Sequence, residues 1–184
     1  MIKHTQIIEA DGTNPYRNLA VEEFLTDNVP AETCILYLWQ NAKTVVIGNN
    51  QNAWQECKTQ ALHEDGGHLA RRLSGGGAVF HDDGNLNFTF ILPRDDFDIA
   101  RQSEVIMRAV SSFGVCVERS GRNDILANGQ KFSGNAFFRR RNSAYHHGTL
   151  LINVDMQNLS HYLNVSAAKL ESNGVKSVKS RVCN

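Results

Sequence analysis

Cysteine is sparse and scattered in this sequence. Cys34, Cys57, Cys116 and Cys183 are the only four in 184 residues, no two form a CxxC pair, and none has the spacing of a zinc site. Neither a disulfide scaffold nor a zinc module is expected. Charge of one sign is also missing: 19 Lys plus Arg balance 19 Asp plus Glu. That balance argues against a chain built mainly to neutralise nucleic-acid phosphates or an anionic membrane, while leaving room for a local basic patch. No run approaches the ~18 apolar residues of a membrane span, and residues 1–5 lead into polar sequence without a signal-peptide core. A cytoplasmic protein with neither a nucleic-acid nor a membrane partner is expected. Proline is scarce, at three residues, and no repeat or low-complexity stretch marks a linker, so residues 1–184 are expected to form one domain. At this length a folded chain buries roughly 70% of its unfolded surface, and 41% hydrophobic residues can fill a core without staples.

Short strands dominate the pattern. Residues 2–8 suggest an opening strand, and Asn14-Pro15 a helix start, with Asn capping and Pro at the first helical position. A helix over 15–28 follows, with Leu19, Ala20, Glu23, Phe24 and Asp27 on its apolar stripe. Residues 34–39 and 44–47 read as a hairpin across Gln40-Asn41-Ala42-Lys43. Leu86, Phe88, Phe90 and Leu92 alternate with Asn87, Thr89 and Ile91 as in a half-buried strand. Residues 96–112 suggest a helix with Ile99, Ser103, Ile106, Val110 and Phe113 on one side and Gly114 ending it. A last helix is expected over 156–163. The sum is an α+β fold of mixed or antiparallel sheets with flanking helices.

The most unusual stretch is Arg71-Arg72-Leu73-Ser74-Gly75-Gly76-Gly77-Ala78-Val79-Phe80-His81. Successive glycines let a backbone approach a ligand and aim its amides at an anion, and paired arginines supply forked donors. A phosphate or a carboxylate suits such a loop; a flexible surface turn beside a solvated arginine pair suits the same residues. It is neither a GxGxxG fingerprint nor a GxxxxGK[ST] loop.

Asn128-Gly129, between two strand-like runs, signals a type I′ hairpin. Counting outwards pairs Ala127 with Gln130, Leu126 with Lys131, Ile125 with Phe132 and Asp124 with Ser133. Asp124 and Lys131 then share one face as diagonal neighbours, with Ile125 and Phe132 on the other. That face can clamp a metal-bound phosphate or hold a surface ion pair worth ~0–1 kcal/mol. His146-His147 invites a metal, but neighbours on a strand point to opposite faces. Arg139-Arg140-Arg141 reads as a solvated hairpin tip or a surface for an acidic partner. Arg181, two residues before Cys183, has the sign that lowers a thiol pKa.

Together these stretches resemble the signature of lipoate-protein ligases of the A type, within the biotin/lipoate protein ligase superfamily. The likeness runs through residues 71–85, Gly121-Arg122-Asn123-Asp124 and Lys131-Phe132-Ser133-Gly134-Asn135-Ala136. It extends to Asn18-Leu19-Ala20-Val21-Glu22-Glu23, Val45-Val46-Ile47-Gly48, Gln51-Asn52-Ala53-Trp54, His146-His147-Gly148-Thr149-Leu150-Leu151 and residues 176–182. Several ordered motifs at consistent spacing favour the ligand-binding readings of the glycine loop and of Lys131.

The resemblance implies a fold shared with biotin-protein ligases, a lipoyl-adenylate tunnel and a two-step reaction. Lipoate attacks the α-phosphate of ATP, and a lysine of an apo acceptor protein then takes the acyl group; the acceptors are lipoyl domains of 2-oxoacid dehydrogenases and the glycine cleavage H protein. By position, Arg72, Gly75, Gly76, Gly77, Ala78, Val79, Phe80, His81 and Asn85 resemble the binding loop. Asn123 and Asp124 resemble the adenylate and Mg²⁺ side, with Asp124 as metal ligand. Lys131 resembles the catalytic lysine that meets both nucleotide and lipoyl carbonyl. Leu73, Val79 and Phe80 are expected to sheath the lipoyl tail.

Asn49 departs from an expected arginine and Cys183 from a threonine, and the family pattern implies a chain that continues beyond residue 184. Two other activities fit such a chain: a lipoyl or octanoyl transferase using a preformed activated acyl group or a cysteine thioester, and a non-catalytic lipoate-binding fragment.

Overall fold

The computed structural model describes residues 1–121, 123–164 and 182–184. Two sheets carry the fold. The larger has seven strands: β1 (His4–Glu9), β2 (Thr33–Trp39), β6 (Asn85–Pro93), β7 (Val117–Ser120), β8 (Asp124–Ala127), β9 (Gln130–Arg139) and β10 (Ser143–Leu151), in the order β1-β2-β6-β10-β9-β8-β7. The smaller has three: β4 (His68–Arg71), β3 (Thr44–Ile47) and β5 (Val79–His81), with β3 central. β1–β2 and β3–β4 are parallel and the other described pairings antiparallel, so the fold is the expected α+β with mixed sheets. No helix among the described residues is long and apolar enough to cross a membrane.

Helix α1 (Pro15–Asp27) starts as expected, with Asn14 Oδ1 accepting from the amides of Tyr16 and Arg17 and Pro15 in the first turn. Its buried face is not the expected one. Asn18, Glu22 and Thr26 are buried while Phe24 is 64% exposed, because this helix covers a polar region behind the cavity described below. The expected hairpin of residues 34–47 does not form either: β2 and β3 belong to different sheets. Their connection is captured from outside, with Gln40 O accepting from Asn18 Nδ2 and Ala42 N donating to Thr13 O.

β6 is central and buried on both faces, not half-buried. Phe88, Phe90 and Leu92 pack towards Ile106 of helix α4 (Ile99–Ser111), and Ile91 packs with Ile35 and Tyr145 on the α1 side. α4 buries Gln102, Ser103 and Ile106, and Phe113 lies beyond it, 85% exposed. The short helices α2 (Ala53–Glu56) and α3 (Thr59–Glu64) precede β4. Under the small sheet, Val45, Ile47, Leu62 and Phe80 pack against Tyr162 of helix α5 (Met156–Tyr162). This arrangement faces the small sheet and its β4–β5 loop towards the α1 side of the large sheet.

Candidate active site

A cavity of about 300 Å³ lies between the two sheets. Trp39, Asn87, Gly148, Thr149, Asn135 and Asp124 line it from the large sheet, Val46 and residues 76–79 from the small one, and Leu19 from α1.

The loop between β4 and β5 is held in shape by Arg72, whose donors point at protein. Arg72, 6% exposed, donates from Nη2 to the carbonyls of Gly75 (2.8 Å) and Gly77 (2.7 Å), from Nη1 to Val46 O (3.2 Å) and from Nε to Ser74 Oγ (3.0 Å). Burial holds its pKa below the usual arginine value. Arg71 spends Nη1 on the carbonyls of Gly48, Asn49 and Gln51. Both arginines brace the two loops beside the cavity, Arg72 from within its lining, and Asn49 contributes backbone groups to that packing. Gly76 sits at φ +93°, and a Cβ there would meet Arg72 Nη2 at 3.0 Å.

The opposite wall is the β8–β9 hairpin. Asn128 (φ 51°) and Gly129 (φ 79°) make the expected type I′ turn, and Ala127↔Gln130 and Leu126↔Lys131 pair as counted. Beyond them the register slips by one: Ile125 faces Ser133 and Asp124 faces Gly134. Phe132 is the extra residue of a β-bulge, which lets both Phe132 (6% exposed) and Ser133 (0%) turn inward. The bulge sets Gly134 rather than Ser133 beside Lys131. A Cβ at Gly134 would lie 3.0 Å from Lys131 Cε and 3.1 Å from Nζ, so the missing side chain is the space in which the lysine lies. Lys131 Nζ meets Asp124 Oδ1 at 2.7 Å, both side chains being more than one-third exposed.

A buried polar chain backs the cavity, and sequence reasoning missed it. Trp39 Nε1 donates to Thr89 Oγ1 (3.0 Å), which donates to Glu22 Oε1 (2.7 Å). His147 Nδ1 meets the same carboxylate oxygen at 2.8 Å, and its Nε2 lies 2.8 Å from Ser74 Oγ, the acceptor for Arg72. The chain joins α1, β2, β6 and β10 to the glycine loop. His146 points elsewhere, as adjacent strand residues must: its Nε2 meets Asn135 Oδ1 at 2.8 Å, and its ring packs on Phe88 and Phe137. Burial, with the nearby His147 and Arg119, drives its pKa down to about 3. Among the described residues no group of three His, Cys, Asp or Glu side chains is placed to hold a metal.

Of the residues singled out in the sequence, Arg72, Gly76, Gly77, Ala78, Val79, His81, Asn123, Asp124 and Lys131 line the cavity. Gly75, Phe80 and Asn85 do not. Gly75 is exposed and presents its carbonyl to Arg72, Phe80 packs on Tyr162 in the core, and Asn85 is buried with its Nδ2 on Asn87 Oδ1. Leu73 is also outside the lining. No cysteine lines the cavity; the Cys183 thiol is raised by burial, not lowered, and lies 3.7 Å from Gln130 O. Arg140 is no solvated tip residue, since it pairs with Glu23 and Asp27 at 2.6 Å each. Arg122 and residues 176–181 of the motif near the end of the chain lie outside the described residues.

Residues 14–184 match the model of the lipoyl protein ligase A/B catalytic domain. Lipoate-protein ligase A of Psychrobacter cryohalolentis is 46% identical over 179 residues, which cover 97% of this chain and 53% of that protein. The chain thus spans about half the length of that curated relative. The crystal structure of P. falciparum LipL1 in complex with lipoate is similar at TM-score 0.81 and 34% identity, over 95% of this chain and 56% of that one. A structure from work on a bi-partite lipoate protein ligase and its E2 lipoyl domain from Thermoplasma acidophilum matches at TM-score 0.84 and 28% identity, over 100% of this chain and 74% of that one. A lipoate-protein ligase A bound with ATP matches at TM-score 0.82 and 26% identity, covering 100% of this chain and 76% of that one. With the loop, the hairpin and the intervening cavity in the arrangement described, the chain belongs to the lipoyl protein ligase A/B catalytic domain family.

Proposed function

We propose that residues 1–184 form a single catalytic domain that binds lipoate and ATP in this cavity and joins them as lipoyl-adenylate. The acyl group then passes to a lysine of an apo lipoyl-domain acceptor, in the cytoplasm. Lys131 carries the reading. It is a cation lying along a groove left by Gly134 and lining the cavity, where charge on a carboxylate, an α-phosphate and a carbonyl would develop in turn. A donor fixed at such a point lowers both barriers. Asn123, Asp124 and Lys131 line one end of the cavity, and Gly76, Gly77 and Ala78 line it from the glycine loop. The donor set at this end suits Mg²⁺ held by one carboxylate and by substrate phosphates rather than by a protein cage; Asp124 would hold it, and the ion would neutralise phosphate charge. Freed from its ion pair with Asp124, Lys131 is available to the substrate oxygens.

The absence of cysteine from the lining favours ATP over a cysteine thioester as the source of activation. The acceptors that suit the second step are the lipoyl domains of 2-oxoacid dehydrogenases and the glycine cleavage H protein, whose lysine would enter at the Lys131 end.

The test is incubation of the chain with lipoate, ATP and Mg²⁺, with lipoyl-adenylate and pyrophosphate followed by mass spectrometry. Lipoate binding without pyrophosphate release would reduce the chain to a binding fragment. Acyl transfer that needs no ATP and is lost in Cys183→Ala would make it a transferase.

A further inference from the structure

The end of the cavity remote from Lys131 holds a hydrogen-bond donor with nothing to receive its proton. Across the large sheet the lining runs from Trp39 on β2 through β6, β10 and β9 to Asp124 on β8. That is four strand spacings, roughly 19 Å between the outer strand axes. His81 stands at the β2 end, its ring centroid 6.1 Å from that of Trp39. It is 3% exposed and lines the cavity, yet its Nε2 has no hydrogen-bond partner.

Which ring nitrogen carries the hydrogen follows from a chain of bonds that starts at the backbone. Asn18 Nδ2 donates to the carbonyls of Gly12 (3.2 Å) and Gln40 (2.8 Å), groups that only accept, and also to Asn41 Oδ1 (3.1 Å). Asn41 Oδ1 is therefore turned towards Asn18, and Asn41 Nδ2 lies 3.1 Å from His81 Nδ1. An amide NH₂ only donates, so Nδ1 is the bare nitrogen and the neutral ring bears its hydrogen on Nε2. Burial, reinforced by the charge of Arg72, drives the His81 pKa down to about 3, which keeps the ring neutral. A buried N–H left unpaired is costly and uncommon in folded proteins. Its partner is expected to arrive with the ligand.

We propose that His81 is a specificity-determining residue whose Nε2–H donates to an acceptor atom at the distal end of the bound acyl chain. The site thereby prefers an acid ending in a sulfur-containing ring to a plain eight-carbon acid. This rests on the lipoate reading above. A saturated chain has no lone pair to offer, whereas a thioether-like sulfur accepts a hydrogen bond and also packs well against an aromatic edge such as Trp39. Asn18 and Asn41 act through His81 as positioning residues.

Calorimetric titration of the full chain with lipoate and with octanoate, without ATP, tests the proposal. The unmodified chain is expected to bind lipoate about threefold to tenfold more tightly, the range a single neutral hydrogen bond supplies, and His81→Leu to bring the two affinities within about twofold. Equal affinities in the unmodified chain, or an unchanged ratio in His81→Leu, would overturn it. Binding of neither acid would remove the lipoate reading itself, a distinct result. A second measurement needs no variant. ¹⁵N NMR of the unmodified chain should show His81 protonated at Nε2 and bare at Nδ1 from pH 5 to 8, with the Nε2–H proton shifting on addition of lipoate but not of octanoate. A proton on Nδ1, or equal shifts with both acids, would overturn it.

Discussion

The two walls of the cavity are built on opposite principles. The glycine-loop wall is over-determined: Arg72 spends its donors on protein groups, and Ser74 ties the loop through His147 and Glu22 to β10 and α1. The hairpin wall is exposed, and its two charged residues hold little but each other. Side chains fully committed to backbone carbonyls make shape and are unavailable to a substrate. A half-exposed ion pair worth ~0–1 kcal/mol is easily exchanged for a ligand. In the proposed function the two arginines shape the loops, and Lys131 is the cation left to meet the substrate.

That division is broken most directly by exchanging effects between the walls. Lys131→Ala should lower adenylate formation about 10²–10³-fold, the usual loss for one transition-state donor, with little change in melting temperature. Activity above about a tenth of the original would remove Lys131 from the chemistry. Arg72→Lys should do the reverse of a pure catalytic lesion. A lysine cannot reach four acceptors in a fixed fork, and the carbonyls of Gly75, Gly77 and Val46 lose partners at about 3 kcal/mol in total. For a domain of this size that is roughly 6–12 °C in Tm, read by calorimetry. An unchanged Tm would mean that the loop does not depend on its arginine.

Acid should act on the fold through two buried histidines, one on each side of the cavity. His81 and His146 have folded pKa values of about 3, far below the ~6.5 of an unfolded histidine. The unfolded chain therefore binds more protons between these values. Stability is complete above about pH 6.5 and falls as pH drops towards 3, by up to ~1.4 kcal/mol per pH unit per ring. Urea midpoints between pH 8 and 5 should be flat and then fall below about 6.5, and His146→Gln should make the fall shallower. A flat profile to pH 5 would contradict the burial of both rings.

Gly76→Val sharpens the contrast within one loop. At φ +93° a β-branched residue is strained, and its Cβ would press on Arg72 Nη2. The loop is at the surface of the cavity, so lipoate affinity should fall about tenfold or more and stability by a lesser factor. Equal losses in both would make the loop a structural turn.

Legibility in the sequence followed the same boundary. What depends on adjacent residues was readable: the Asn14-Pro15 helix start, the Asn128-Gly129 turn, the opposite faces of His146 and His147. What depends on distant partners was not. The buried face of α1 is polar because Glu22 meets Thr89 and His147, respectively 67 and 125 residues away, so an apolar stripe was the wrong feature to seek. The bulge at Phe132 escapes a count outwards from the turn, since it reflects the packing of Lys131 over Gly134 and of Ser133 into the core. Polar residues at i, i+4 and i+8 on α1, Asn18, Glu22 and Thr26, were the available signal. A helix face so regularly polar and yet buried marks a functional region behind it.

The smallest effect concerns the outside of that helix. Arg140 braces α1 through Glu23 and Asp27, each pair partly exposed, and lies over Phe138 at 5.4 Å. Arg140→Gln should cost no more than about 1 kcal/mol, because exposed pairs are screened by water and salt. Arg139 and Arg141 are the members of the triplet without such an anchor on α1. If an acidic acceptor domain is drawn to this edge, the double change Arg139→Gln and Arg141→Gln should slow acyl transfer a few-fold at low ionic strength and leave adenylation untouched, since rim charges steer association more than chemistry. Stopped-flow transfer rates at two salt concentrations separate the cases. Loss of rate in Arg140→Gln alone, with a matching fall in adenylation, would mean that α1 bracing reaches Glu22 and that the glycine-loop wall extends out to this surface. Unaltered rates in the double variant at low salt would place acceptor docking elsewhere.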